Sequence, residues 1–219
     1  MDELLKRLKN ISTSSLADVD KDIRVLDGGI QKYAGFGKMV GIARVVSCQN
    51  DFLNVLRSLN ESRKGEVLVI EARTSIRAVL GGLFCSEASR RGLSGVVVDG
   101  PIRDIECVQK LDIPVYARSL CPCAGTAKDL SVTKEPVFVG GAKVFSGDIV
   151  VGDKDGVIVG GPHFFQGIVD MAEEIEEKES AILNKIKSDI PLSSLLNLKE
   201  HMERLEKGEN SNLQFEIDR

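Results

Sequence analysis

The run Gly95-Val-Val-Val-Asp-Gly-Pro-Ile-Arg-Asp104 constrains the fold more than any other part of the chain. Three consecutive valines with no polar alternation suit a buried strand, and Gly100-Pro101 supplies a stop signal. In open α/β sheets, ligands gather at the carboxyl ends of the strands. This strand ends on Arg103 and Asp104 side by side. Arg103 offers a planar fork of donors for a carboxylate or an enolate oxygen. Asp104 offers the hard oxygens that magnesium or manganese takes. The same two residues also read as the plain opening of the next helix, with Asp104 facing its positive end.

Length and charge narrow the classes. A chain of 219 residues supports one full core, and 42% hydrophobic with 28% charged residues is ordinary for a globular protein. A formal net charge of −4 gives no basic stripe and argues against a nucleic-acid partner. The sequence has no apolar run long enough to span a membrane. Its first ten residues form a charged amphipathic pattern without the apolar centre of a secretory signal. Five scattered cysteines (Cys48, Cys85, Cys107, Cys121, Cys123) fit a reducing compartment better than a disulfide framework, so a cytoplasmic location is expected.

The order of elements predicts an α/β fold with a mixed sheet. Residues 1–22 read as helical, capped by Ser12, Thr13 or Ser14. Met39–Cys48, Glu66–Glu71, Gly95–Asp99 and Ile113–Ala117 read as strands. Helices are expected over Phe52–Leu59, Leu83–Arg91 and Asp104–Leu111. From Pro136 to Val159 the pattern becomes short strands broken by glycine turns, a second β layer. Pro162 opens a long capping helix to about Lys187. The division expected is a domain over 1–190, followed by a peripheral helix and flexible tail over 191–219.

Several segments, in this order and spacing, resemble the RraA-like family, which includes the 4-hydroxy-4-methyl-2-oxoglutarate aldolases. They are Ser12-Thr-Ser-Ser-Leu-Ala-Asp18, Gly37-Lys-Met-Val-Gly-Ile-Ala43, Gly81-Gly-Leu-Phe84, Arg91 through Asp104, Ile113-Pro-Val-Tyr-Ala117, and Ser146 through Val159. Together they cover residues 12 to about 190. The resemblance implies a swivelling β/β/α domain assembled as a homotrimer or a dimer of trimers, with its site between subunits. It also implies a small 2-oxo acid as substrate and Mg2+ or Mn2+ as cofactor. Carried across residue by residue, Arg103 is the catalytic arginine that binds the pyruvyl unit, and Asp104 is the metal ligand. Gly81, Gly82, Leu83 and Phe84 form the backbone cradle. Retro-aldol cleavage and oxaloacetate decarboxylation share one demand, stabilisation of a pyruvate enolate, which a cation and a guanidinium can meet.

One position departs from the family pattern. The carboxylate of active aldolases falls twenty-one positions before the arginine, which here is Gly82. A glycine can neither orient water nor move a proton, and losing a positioned acid or base costs roughly a hundredfold or more. Glu87 lies more than a turn further along the helix, and Asp99 reads as a turn residue. Glu176 and Glu179, matching a further family acid from a neighbouring subunit, lie in a run that reads as a solvated face. Two expectations therefore stand: a metal-dependent lyase with impaired chemistry, and a non-catalytic RraA-type regulator acting on a protein partner, as relatives do on a bacterial endoribonuclease. Cys121-Pro-Cys123 with His163 and His201 lacks the spacing of a zinc site. A methyltransferase label given to some relatives fails for want of a glycine-rich nucleotide fingerprint.

Overall fold

The computed structural model describes residues 1–216 of the 219. Residues 1–22, expected to be helical with a cap at Ser12, Thr13 or Ser14, hold two helices, α1 (Asp2–Leu8) and α2 (Thr13–Val19), and Ser12 is the cap of the second. The Ser12 hydroxyl accepts the Ser15 N–H at 3.0 Å, satisfying one of the amides a helix start leaves open. Then follow β1 (Arg24–Val25), β2 (Gln31–Ala34), β3 (Met39–Ser47), α3 (Leu53–Glu61), β4 (Glu66–Glu71) and α4 (Gly82–Arg90). The second half of the sheet region holds β5 (Gly95–Ile102), α5 (Ile105–Val108), β6 (Val115–Leu120), β7 (Val137–Val139), β8 (Ala142–Val144), β9 (Ile149–Gly152) and β10 (Val157–Gly160).

Eight strands form one mixed sheet in the order β1-β10-β9-β3-β4-β5-β6-β2, while β7 and β8 pair as a separate ribbon. The centre, β3-β4-β5-β6, is parallel, and β9, β10, β1 and β2 join antiparallel at its flanks. Period-two alternation assigns the layers. On one face Leu68, Ile70, Val96 and Val98 pack with Val55, Leu59, Cys85 and Ala88 of α3 and α4. On the other, Val67, Val69, Val97 and Tyr116 pack with Val137, Val139 and Val144 of the ribbon. The architecture is thus the expected β/β/α stack: ribbon, sheet and helices.

Strand β5 does not stop at Gly100-Pro101. It runs on to Ile102, with a register shift against β6 between Val98 and Pro101. A proline lacks a ladder donor and is tolerated at such an irregularity. Gly100 is needed there, since a Cβ would lie 2.7 Å from the Ala72 carbonyl oxygen. The strand therefore delivers Arg103 and Asp104 directly from its end.

Chain contacts divide the molecule into two units, Met1–Ala172 and Glu173–Arg219, a division that falls within α6 (Pro162–Lys187). In the second unit a 3-10 turn (Leu192–Leu195) and α7 (Leu198–Glu206) are followed by a return of the chain that pairs Phe215 with Leu196. Asn197 donates to the Asn212 carbonyl at 3.1 Å and accepts the Gln214 N–H at 2.8 Å. The final three residues of the 191–219 segment lie outside the described residues.

Candidate active site at the end of strand β5

Three chain segments meet beyond the carboxyl end of β5. The stretch 78–81 runs alongside it, with the Val79 N–H donating to the Pro101 carbonyl at 3.2 Å and the Arg103 N–H to the Leu80 carbonyl at 3.1 Å. Gly81 then opens α4, and Gly82 presents its N–H to Asp104 Oδ2 at 3.1 Å. Asp104 stands at the N-terminal position of α5 but makes no side-chain cap there. It caps α4 instead, from a left-handed backbone at φ 60°, ψ 40°. Aspartate is among the few side chains that enter this region, at a cost of about 1–3 kcal/mol. Arg103 Nε lies 3.6 Å from Asp104 Oδ2, with both side chains about two-fifths exposed (42% and 43%).

Both glycines of the pair are required by close approach. A Cβ on Gly81 would lie 2.7 Å from Asp104 Oδ2 and 3.0 Å from Arg103 Cγ. A Cβ on Gly82 would lie 2.9 Å from Cys107 Sγ and 3.1 Å from Cys107 Cβ. The space into which a side chain at position 82 would grow is thus held by the Cys107 thiol.

A cavity of about 60 Å³ adjoins the Arg103–Asp104 pair, walled by Phe52, Ala78, Leu80, Phe84 and Ala124. Phe52 and Phe84 meet edge to face, with centroids 5.6 Å apart and planes at 85°. Leu83, the other cradle residue, is 82% exposed at the surface beside it. The walls are held by a polar knot. Asn50, in a left-handed backbone at φ 54°, accepts the N–H groups of Ile76 (2.8 Å) and Arg77 (3.1 Å) on its side-chain oxygen. Buried Asp51 accepts Leu53 N–H at 2.9 Å, Thr126 hydroxyl at 2.6 Å and Lys128 N–H at 2.7 Å. Burial pushes the Asp51 carboxyl up, but these hydrogen bonds outweigh it and hold it below the ordinary range.

Two of the other acids weighed from sequence, Glu87 and Asp99, are committed to partners of their own. Glu87 pairs with Arg90 at 2.6 and 2.7 Å and with Arg91 at 3.6 Å. Asp99 is no turn residue: it sits within β5, fully buried, accepting from Arg118 Nε and from the Gly140 N–H at 2.7 Å. Glu176 and Glu179 belong to the second unit. Cys121 and Cys123 are loop thiols, Cys121 Sγ lying 3.4 Å from the Ile76 carbonyl. Sequence reasoning passed over Asn50, Asp51, Phe52 and Cys107. Apart from the Asp51 contact to Leu53, the side chains of Asn50 and Asp51 act on partners 26 to 77 residues away, which no local pattern reveals.

The family pattern described as RraA-like, aldolase/RraA, matches residues 13–159. The chain belongs to the RraA-like family. A relative from Halalkalibacterium halodurans, provisionally named a 4-hydroxy-4-methyl-2-oxoglutarate aldolase, is 31% identical over 72% of this chain and 76% of its own. Among solved structures, an uncharacterized protein from Pseudomonas syringae superposes with a TM-score of 0.78 at 25% identity, covering 89% of this chain and 96% of that one. The RNA-processing inhibitor RraA from Thermus thermophilis superposes with a TM-score of 0.63 at 28% identity, covering 68% and 91%. Among the described residues of this RraA-like protein, no helix is long and apolar enough to cross a membrane.

Proposed function

We propose that this RraA-like protein is a divalent-metal-assisted lyase acting on a small 2-oxo acid with a pyruvyl unit, by retro-aldol cleavage of the 4-hydroxy-4-methyl-2-oxoglutarate type or by oxaloacetate decarboxylation. The supporting observation is the Arg103–Asp104 pair, 3.6 Å apart, delivered by β5 against the α4 amide and beside a small cavity. Contact through Nε leaves the terminal guanidinium nitrogens of Arg103 for a two-pronged grip on the substrate carboxylate. The same guanidinium then faces the negative charge that develops on the 2-oxo oxygen as the C–C bond breaks.

The donor set suits a loosely held hard cation. Asp104 gives one carboxylate, with Oδ2 shared with the Gly82 amide, and among the described residues no three His, Cys, Asp or Glu side chains converge. Mg2+ or Mn2+ accepts such a site, since magnesium keeps several waters and takes one or two carboxylates plus substrate oxygens. When bound, the ion supplies Lewis acidity to the 2-oxo group. Gly82 offers no proton-handling group, so turnover is expected to be slow. Assembly as a homotrimer or a pair of trimers, with the site at the subunit seam, belongs to the same proposal, as does a cytoplasmic location.

A second reading, a non-catalytic regulator binding a protein partner, is favoured by the side-chain slot at position 82 being filled with the Cys107 thiol. Pyruvate release from oxaloacetate with Mg2+ separates the two. Wild type should exceed the metal-only blank, Arg103→Ala should fall to it, and Gly82→Asp/Cys107→Ala should gain about tenfold or more. Equality of all three with the blank removes the lyase reading and leaves the regulator.

A further inference from the structure

We propose that Cys121 and Cys123 form a reversible dithiol–disulfide site that sets how firmly the Arg103–Asp104 site holds its ligand. The inference concerns regulation of that site and rests on the lyase reading for the ligand. Reach is the first ground. Even in fully extended backbone, Cα atoms two residues apart are separated by only about 7 Å. The chain bends at Pro122-Cys123, which brings the pair into the roughly 4.4–6.8 Å that a disulfide spans. The Cys121 thiol already turns back over this bend, its Sγ 3.7 Å from the Cys123 carbonyl oxygen. Access is the second ground. Cys123 is exposed and Cys121 half-buried, whereas burial pushes the Cys48 and Cys85 thiols up to about 12, which leaves them inert.

Position is the third ground. The two cysteines follow β6 directly and clasp the stretch that leads to Gly81. Cys121 donates its N–H to the Ile102 carbonyl, next to Arg103, at 2.9 Å and its thiol to the Ile76 carbonyl at 3.4 Å. The Cys123 carbonyl accepts the N–H of buried Ala78 at 2.8 Å. Two residues on, the Leu80 carbonyl holds the Arg103 N–H. Closing the link pulls the Cys121 sulfur off Ile76. Because Pro122 fixes φ inside so small a ring, the Cys123 carbonyl turns away from the Ala78 N–H. The chemistry is exchange with a small disulfide such as glutathione disulfide. The Cys123 thiolate attacks one of its sulfurs, a mixed disulfide forms and the first small thiolate leaves. The Cys121 thiolate then attacks the Cys123 sulfur, the Cys121–Cys123 bond forms and the second small thiolate leaves. Two protein thiols are oxidised, the small disulfide is reduced to two thiols, and the protons pass through solvent to the leaving thiolates. In a reducing compartment such a link is transient, as in redox-sensing pairs.

The test treats the full chain with glutathione disulfide and maps the link by peptide mass spectrometry. Amide exchange over residues 76–81 and pyruvate binding with Mg2+, by calorimetry, are followed before and after. A Cys121–Cys123 link should close, exchange at Ala78 should speed up about tenfold as its N–H loses an acceptor, and pyruvate should bind about fivefold or more weakly. Dithiothreitol should reverse all three. Cys121→Ser, which lacks the second thiol, should stop at the mixed disulfide and keep the slow exchange, while Cys107→Ser should respond as wild type does. If no such link closes in the assembled protein, or it closes with either exchange or pyruvate binding unchanged, the inference is overturned. If the reduced protein shows no Arg103-dependent pyruvate binding, the lyase reading falls alone, and the link and the exchange rate still decide the dithiol site.

Discussion

Gly81 and Gly82 are adjacent and chemically identical, yet each answers a different neighbour. Gly81 lets Arg103 and Asp104 close against the backbone, whereas Gly82 makes room for Cys107. Gly82 has no left-handed backbone requirement, so what opposes a side chain there is the sulfur 2.9 Å from its would-be Cβ and the Cys107 Cβ at 3.1 Å. Overpacking of this kind costs about 1–3 kcal/mol. Gly82→Asp alone should therefore lower the urea midpoint accordingly, and adding Cys107→Ala should restore most of it. An unchanged midpoint in the single variant would show that Cys107 turns aside freely. At this scale Arg103 and Asp104 were legible because two charged residues followed a run of valines. Cys107 was not, because its meaning depends on where the start of α4 lies in space.

At the level of the element, β5 shows what patterning can and cannot tell. All eight of its residues are buried, as expected of a strand covered on both faces, and this was readable from Val96-Val-Val98. Its true end was hidden, because Gly100-Pro101 signals a stop in sequence while the register shift absorbs it in the sheet. The edge strands β1 and β2 escaped notice for another reason: they are short, and their exposed and half-buried residues carry no apolar alternation. Within β5, Asp99 is fully buried and its charge is balanced by Arg118 on β6. Removing one partner of such a pair leaves a buried charge uncompensated, typically at about 3–5 kcal/mol. Arg118→Met should lose stability on that order in urea unfolding, partly relieved in the double variant with Asp99→Asn. A loss under 1 kcal/mol would mean that the Gly140 amide alone suffices for Asp99.

Across the first unit as a whole, one polar strut ties the ribbon to the sheet. Asp99 in the sheet accepts from Gly140 at the turn of the β7–β8 ribbon, and Asp27 donates its own N–H to the Gly140 carbonyl at 2.9 Å. Asp27 Oδ2 in turn accepts from Arg118 at 2.8 Å and from Arg73 at 3.2 Å. The Arg118 hydrogen bond, against some burial and with help from the Gly29 amide, holds the Asp27 carboxyl down at about 2. In the unfolded chain an aspartate titrates near 3.9. The folded state therefore binds fewer protons between these values, and stability falls as the pH drops. The contribution is complete above about pH 4 and gone once the pH passes below 2. Because the Asp27 side chain is 40% exposed, solvent screening reduces the effect well below the full linkage value. Asp27→Asn should thus be less stable than wild type at pH 7, and the gap should narrow steadily between pH 4 and pH 2 in paired denaturant titrations. A gap that stays constant through that window would show that Asp27 holds the ribbon to the sheet by hydrogen-bond geometry alone and that its charge contributes nothing.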